Sequence, residues 1–327
     1  MRVLVGLVAT AAVAGGIWSA DRPCTVAVSV VKSVGPVIPL LPAPPGKFFP
    51  PSVFDRAPDL PPEAFSAYVY DRRHRERGPV GILSVERDSG PRRIAMVVGG
   101  LRLQTEIGQP MLQAVPVAIE RILSKARPQD SFALLTAGGP PVALPFGSGR
   151  DAIRLAVERI QNSKEWKRGG KGVLDALVQA TARFGSPHVG DSIILFGGLP
   201  REGRARISEL RATLTTGHIR LHVFSGVDWA TTGGDMVSGE WVRPLAWICD
   251  ETGGDWEYVG YAGARASDEN LWMWRTEADG LYEVIKSVYT LRLERTGPNV
   301  TIDLSPQFRE QIPRGVVIYP RPLPVCP

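Results

Sequence analysis

The stretch Ile94-Ala95-Met96-Val97-Val98-Gly99-Gly100-Leu101-Arg102-Leu103 decides how this chain is organised. Its apolar residues, Ile94 to Val98, predict a strand that is buried on both faces, as in a parallel sheet. The turn after such a strand is where an α/β domain usually binds its ligands. From Gly99 to Leu103 this turn carries no carboxylate, hydroxyl or imidazole side chain. The stretch therefore predicts a fold more clearly than it predicts a chemistry.

Strand and helix patterns alternate from about residue 93 to residue 290. Apolar residues at helical spacing predict helices over 110–125, 151–161, 172–184, 205–214, 241–251 and 271–286. Short apolar runs predict strands over 67–70, 81–86, 93–98, 131–136, 141–144, 192–196, 219–225 and 255–259, the first two as a pair. The alternation indicates an α/β, Rossmann-like fold with a mostly parallel central sheet flanked by helices. Three last predicted strands, 289–295, 300–304 and 316–319, have no helices between them and predict a short antiparallel β extension at the C-terminus.

The beginning of the chain resembles a secretory signal peptide. Met1-Arg2 precedes an apolar run from Val3 to Trp18, and Ala12-Val13-Ala14 fits a small-x-small cleavage pattern. The run is shorter than the roughly 20 apolar residues that span a bilayer. We therefore expect an exported protein, periplasmic or secreted, with an uncleaved inner-membrane anchor as the alternative and no other membrane contact.

Composition and the strand and helix pattern divide the chain into four segments. We expect residues 1–20 to be the signal peptide, 21–64 a Pro-rich tether, 65–295 the α/β domain, and 296–327 the β extension and tail. Export implies an oxidising compartment. If the Pro-rich arm folds back, Cys24 and Cys326 form a disulfide and leave Cys249 reduced and buried on a helix.

Charge and composition narrow the function classes. The 327 residues carry a formal net charge of +5, and 44% of them are hydrophobic, which is ordinary for a globular protein. The densest basic run, Asp71 to Arg77, also contains acids and favours a solvated turn over a phosphate-binding patch. We therefore expect no nucleic-acid partner.

Three segments in order resemble the von Willebrand factor type A (VWA) family, as found in exported bacterial proteins. The first is the strand, turn and helix from Ile94 to Lys125. The second, Arg168-Gly169-Gly170-Lys171-Gly172-Val173-Leu174-Asp175-Ala176-Leu177, is similar to the family's Gly-Gly-Thr-x-Leu-x-Asp-Ala-Leu segment. The third is a strand, 221–227, followed by a helix that ends Glu251-Thr252-Gly253-Gly254. The resemblance covers about residues 65–295 and implies a VWA fold.

The resemblance also implies a metal site that this chain has lost. The family binds its ion through an Asp-x-Ser-x-Ser turn, a Thr and a second Asp, because Mg²⁺ requires hard oxygen ligands. The matching positions here lack those oxygens and are Gly99, Leu101, Leu103, Lys171 and Gly197. We expect no metal and no cofactor.

The sequence thus favours an exported, non-enzymatic module that binds a protein partner. The candidate binding rim lies at the carboxyl end of the sheet and contains Arg102, Lys171, Arg201, Trp229 and Trp241, since Trp and Arg are frequent binding anchors. An equally good interpretation is that Trp229 and Trp241 pack against the last helices and bind no partner. Two alternatives remain: a structural component of an envelope assembly, whose last strands augment another sheet, and an unrecognised exported hydrolase.

Overall fold

The computed structural model describes residues 24–33, 54–56, 60–71, 75–99, 108–163, 172–197, 206–228, 243–261, 268–323 and 325–326. The strands in these ranges are β1 (Cys24–Ser33), β2 (Phe54–Arg56), β3 (Phe65–Tyr70), β4 (Glu76–Pro79), β5 (Ile82–Arg87), β6 (Arg93–Gly99), β7 (Ser131–Ala137), β8 (Ala143–Leu144), β9 (Ser192–Phe196), β10 (Arg220–Asp228), β11 (Trp256–Tyr261), β12 (Val288–Leu293), β13 (Val300–Leu304) and β14 (Gly315–Ile318). The α-helices are α1 (Gly108–Lys125), α2 (Arg150–Asn162), α3 (Val173–Ala182), α4 (Ile207–Thr216), α5 (Arg243–Thr252), α6 (Asp268–Lys286) and α7 (Pro306–Gln311).

A six-stranded central sheet has the strand order β11-β10-β9-β6-β7-β8. Four of its pairings are parallel, and only the short edge strand β8 pairs antiparallel with its neighbour. Counted from β6, this is the order 3-2-1-4-5-6 of doubly wound α/β folds. The predicted α/β fold is confirmed, and its topology reverses direction between β6 and β9.

Helices cover both faces of the central sheet. On one face α1, α2 and α6 pack on Ile94, Met96 and Val98 of β6. On the other face α3, α4 and α5 pack on Ala95 and Val97 of the same strand. All five side chains are fully buried. Burial on both faces is the physical reason that the strand has a continuous rather than an alternating apolar sequence.

Two further sheets form a β-sandwich beside the α/β layers. One has the order β14-β1-β12-β5, with β2 paired to β1, and the other has the order β13-β3-β4. Their facing side chains enclose a separate core that includes Val26, Val28, Leu291 and Ile302. Helix α6 lies between the two parts, because its Val284 packs on the outer face of the β1 sheet.

The expected disulfide is present. Cys24 and Cys326 are bonded, with their Cα atoms 5.7 Å apart and 302 residues apart in the sequence. Cys249 is a free, buried cysteine on α5, as expected. Burial, followed by Asp255 and Asp250, raises the pKa of its thiol well above the ordinary value, so it stays protonated.

The N-terminal part of the expected tether is not a tether. Residues 24–33 form β1, which pairs with β12 and β14 in the middle of a sheet. Val26, Val28 and Val30 alternate along the strand and are buried in the sandwich core. Burying each Val side chain contributes about 1.5–3 kcal/mol, and this alternation outweighs the proline-rich composition of the segment that follows. The expected domain boundary at residue 64 therefore separates β1 from β12 and β14, the strands with which it pairs.

The C-terminal strands also differ from expectation. They do not extend the central sheet: β12 and β14 flank β1, whereas β13 pairs with β3. The expected pair of 67–70 and 81–86 is wrong as well, because β3 pairs with β4 and β5 pairs with β12. Strand order within antiparallel sheets depends on long-range packing, which local patterns do not encode.

Among the described residues, no helix combines the length and apolar character needed to cross a bilayer. The expected signal peptide, 1–20, lies outside the described residues.

Candidate functional site

The carboxyl ends of β6 and β9 define the topological switch of the central sheet. In open α/β sheets, ligands bind in the crevice outside the strand ends at this point. Here β6 ends at Gly99, and Gly197 directly follows β9, where its N–H donates to the carbonyl of Phe224 at 3.0 Å. Both glycines are buried. Neither position that the resemblance assigns to a metal-binding Asp has a side chain.

The space beside Gly99 is occupied by apolar groups. A Cβ atom at this position would lie 2.8 Å from Cβ of Ala137 and 2.9 Å from Cγ2 of Val173. Ala137 ends β7, and Val173 begins α3. The start of α3 is therefore packed directly on the end of β6, where a carboxylate would need room.

The other candidate residues lie outside the described residues. These are Leu101, Leu103, Arg102, Lys171, Arg201, Trp229 and Trp241. Lys171 immediately precedes Gly172, the N-cap of α3, whose backbone is left-handed with φ of 87°. Within the described ranges, no cluster of three or more His, Cys, Asp or Glu side chains is arranged to hold a metal ion.

The Thr-Gly-Gly segment that carries part of the resemblance has a structural role at the end of α5. The Thr252 hydroxyl donates to the carbonyl of Ile248 at 2.7 Å and accepts from the N–H of Leu221 at 3.0 Å. A Cβ at Gly254 would lie 1.9 Å from the carbonyl oxygen of Leu221. The segment thus locks α5 against β10, and only glycine permits this approach.

The opposite, amino end of the central sheet contains a satisfied polar cluster. Asp130 accepts hydrogen bonds from the hydroxyl of Tyr282, the backbone N–H of Arg92 and the side chain of Arg127. Burial alone would raise the pKa of Asp130, but the hydrogen bonds from Arg127 and Tyr282 outweigh it and lower the pKa. Burial and Asp130 raise the pKa of Tyr282 to about 12. The ionised carboxylate is therefore a structural anchor at the start of β7.

Sequence reasoning missed a second polar cluster, at the junction with the sandwich. Arg220 and His222 occupy alternate positions of β10 and are 2% and 0% exposed. Such alternation with apolar residues usually indicates a solvated strand face. Here α6 covers that face, with Trp274 packed 4.7 Å from the ring of Phe224. The sequence predicts the helix over 271–286, but nothing in the local pattern shows that this helix covers β10.

Comparison with known proteins finds no matching family model and no matching curated protein. Among solved structures, the chain is similar to an aerotolerance-related membrane protein from Bacteroides fragilis, at 13% identity and a TM-score of 0.40, over 60% of this chain and 98% of that one. It is similar to the conserved hypothetical protein BatB from Bacteroides thetaiotaomicron, at 17% identity and a TM-score of 0.37, over 58% of this chain and 98% of that one. It is also similar to a von Willebrand factor type A protein from Catenulispora acidiphila, at 15% identity and a TM-score of 0.37, over 67% of this chain and 49% of that one. The α/β assignment itself rests on the strand order described above.

Proposed function

We propose that this chain is an exported, non-enzymatic protein-interaction module built on a VWA-like α/β domain without the metal site. The observation that carries the proposal is the closed end of β6. Gly99 offers no side-chain oxygen as a ligand, and Ala137 and Val173 occupy the space that a side chain would need. Binding would then rest on the rim itself rather than on an ion held at the switch point.

Chain connectivity supports the rim as the binding surface. Arg102 belongs to the connection from β6 to α1, Arg201 to that from β9 to α4, and Trp229 and Trp241 to that from β10 to α5. Connections of this kind start from the carboxyl ends of the strands, where α/β folds place their sites. Lys171 precedes α3, whose first residue contacts the end of β6.

Export is supported by the covalent structure. The Cys24–Cys326 bond is of a type that persists in oxidising compartments and is rare in reducing ones. Together with the apolar segment behind Arg2, it favours a periplasmic or secreted protein over a cytosolic one.

The metal part of the proposal is tested by calorimetry on the purified mature protein. We expect no Mg²⁺, Mn²⁺ or Ca²⁺ binding at micromolar concentration. Gly99 and Gly197 provide no carboxylate to replace the water that an ion would lose, and Lys171 adds a positive charge. Charges of +1 and +2 repel by roughly 2 kcal/mol at 4 Å in water. Micromolar binding that is removed by changes at Gly99 or Gly197 would show that the chain is a metal-dependent adhesion module instead.

The rim is tested by Lys171→Ala. We propose that the Lys171 ammonium binds a partner carboxylate in place of the ion, which makes binding sensitive to salt and indifferent to chelator. The wild type and each variant are immobilised separately and incubated with native envelope extract. The amount of partner protein that each one retains is measured at rising NaCl concentration and in the presence of EDTA. Lys125→Ala, an exposed lysine at the far end of α1, is the matched control. Equal retention by both variants, or loss of retention in EDTA, would contradict the proposal.

A further inference from the structure

The three cysteines of this sequence present a pairing problem. Cys24 and Cys326 form the disulfide, whereas Cys249 lies between them in the sequence and stays free. Three thiols can form three different pairs, and only one of these pairs is native. The native cysteines are also the pair farthest apart in the sequence, at 302 residues. The folding chain must therefore reject two disulfides that join cysteines closer together.

Loop closure favours the wrong pairs in the unfolded chain. Cys249 and Cys326 are separated by roughly a quarter of the length that separates the native pair, so these two thiols meet about eight times as often. Cys24 and Cys249 are also closer together than the native pair. Among the three pairs, the native one accounts for only about a tenth of the encounters. The native disulfide therefore depends on folding to bring its cysteines together.

The C-terminal segment that carries Cys326 runs past the competing cysteine. Leu323 of this segment is buried in the sandwich core, but the N–H of Arg321 donates to the carbonyl of Asp250 at 2.7 Å. Asp250 is the residue after Cys249 on α5. The chain from Arg321 to Cys326 spans up to about 17 Å when it is extended. Cys326 can therefore reach Cys249 as long as α5 is not yet packed on the central sheet.

In the folded protein Cys249 is protected from disulfide exchange. Its side chain is 2% exposed and packs with Leu245 and Ile248 in the core of the central sheet. Burial raises the pKa of its thiol, and a protonated thiol is a poor nucleophile. Cys24 and Cys326 belong to the separate core of the sandwich. A disulfide from Cys249 to either of them therefore forms before α5 packs, and once formed it keeps α5 from packing.

We infer that this chain is a substrate of a thiol–disulfide isomerase, which converts a disulfide of Cys249 into the Cys24–Cys326 bond. The inference rests on the export proposed above, because disulfides form during folding in an oxidising compartment. A disulfide oxidant of that compartment takes the two electrons and two protons released when the first bond forms.

The exchange itself proceeds in two steps. The isomerase thiolate attacks the Cys326 sulfur of the Cys249–Cys326 bond and releases Cys249, which takes up a proton. The Cys24 thiolate then attacks the same sulfur in the mixed disulfide and releases the isomerase thiolate. One disulfide replaces another, so the exchange consumes neither an oxidant nor a reductant.

Oxidative refolding of the reduced mature protein tests the inference. Oxidised glutathione is the only redox reagent, free thiols are alkylated at intervals, and non-reducing peptide mapping identifies the cysteine pairs. We expect Cys249 in the first disulfide of most chains, and conversion to the Cys24–Cys326 bond when a purified protein disulfide isomerase is added. The same isomerase with alkylated active-site cysteines is the control for chaperone binding alone. A Cys24–Cys326 bond that forms first and predominates without the isomerase would overturn the inference.

A matched pair of variants separates the thiol from the packing of α5. Cys249→Ala removes the competing thiol and should form the Cys24–Cys326 bond in oxidised glutathione alone, with no gain from the isomerase. Ile248→Val alters the same core but keeps the thiol, so it should remain dependent on the isomerase. Equal dependence of the two variants would overturn the inference. If Cys249→Ala does not fold, the peptide map of the wild type still decides.

The outcome is independent of where the protein resides, because the experiment uses purified protein. A failure of the proposed export would instead show as reduced Cys24 and Cys326 in protein isolated from cells.

Discussion

Gly99 shows how one residue couples sequence and packing in this chain. Its missing side chain permits the first turn of α3 to pack against the end of β6. The sequence alone shows that the Asp of the related motif is absent at this position. It does not show that Ala137 and Val173 occupy the space, since those contacts join three separate elements. The absence of a ligand side chain at this position is an expectation from the resemblance, whereas the packing around Gly99 is a structural finding that local patterns do not predict.

Gly99→Ala is expected to destabilise the protein by about 1–3 kcal/mol, the usual cost of overpacking a tight core. The added Cβ would lie under 3.0 Å from atoms of both Ala137 and Val173. Urea unfolding measures the change, and Gly297→Ala is the control, because a Cβ there meets nothing within 4 Å. Ala137→Gly should rescue part of the loss; equal effects of the two alanine substitutions would disprove the close approach.

At the scale of elements, local patterns predicted the secondary structure of each segment better than they predicted its pairing partner. The continuous apolar run of β6 identifies a strand buried on both faces, and the structure confirms it. The proline-rich composition of 21–64 hid β1, whose valines alternate over only a few residues. Arg220 and His222 alternate with apolar residues along β10, and both are buried. In both places a distant element supplies the burial.

The hydrogen bonds to Asp130 predict a pH dependence at the start of β7. Because the folded-state pKa of Asp130 lies below its unfolded value of about 3.9, ionised Asp130 stabilises the fold above that pH. This contribution is lost as the pH falls through the folded-state pKa. The difference in unfolding free energy between wild type and Asp130→Asn should therefore be constant from pH 7 to about 5 and shrink in acid.

Denaturant unfolding between pH 2 and pH 7 measures this difference. Asp151→Asn is the control, since the Asp151 side chain is 92% exposed on α2. A difference for Asp130→Asn that stays unchanged down to pH 2 would show that folding does not lower the pKa of this carboxyl group.

For the whole molecule, the sandwich is assembled from segments far apart in the sequence. Strand β1 comes from the beginning of the chain, β3 to β5 precede the central sheet, and β12 to β14 follow it. An α/β core between 93 and 290 was predictable, because its strands and helices alternate. The sandwich was not, because its register depends on pairing across nearly the whole chain.

Removing the disulfide should weaken this assembly. Cys24→Ser combined with Cys326→Ser is expected to lower the unfolding free energy by about 2–5 kcal/mol, since the bond restricts the unfolded chain. The loop it closes spans 302 residues. Thermal unfolding of the double variant measures the loss, and reduced wild type should match it. Free thiols at both cysteines in protein isolated from cells would rule out this role, as would an N-terminus beyond Cys24.

The same bond determines how the molecule responds to a pulling force. Tension applied between residues near Cys24 and Cys326 passes through a covalent link and bypasses the two folded cores. The residues between Cys24 and Cys326 carry no load while the bond is intact. Reduction would release a chain that extends to about 100 nm. The α/β layers and the sandwich should therefore stay folded under a tension that would unravel the reduced chain.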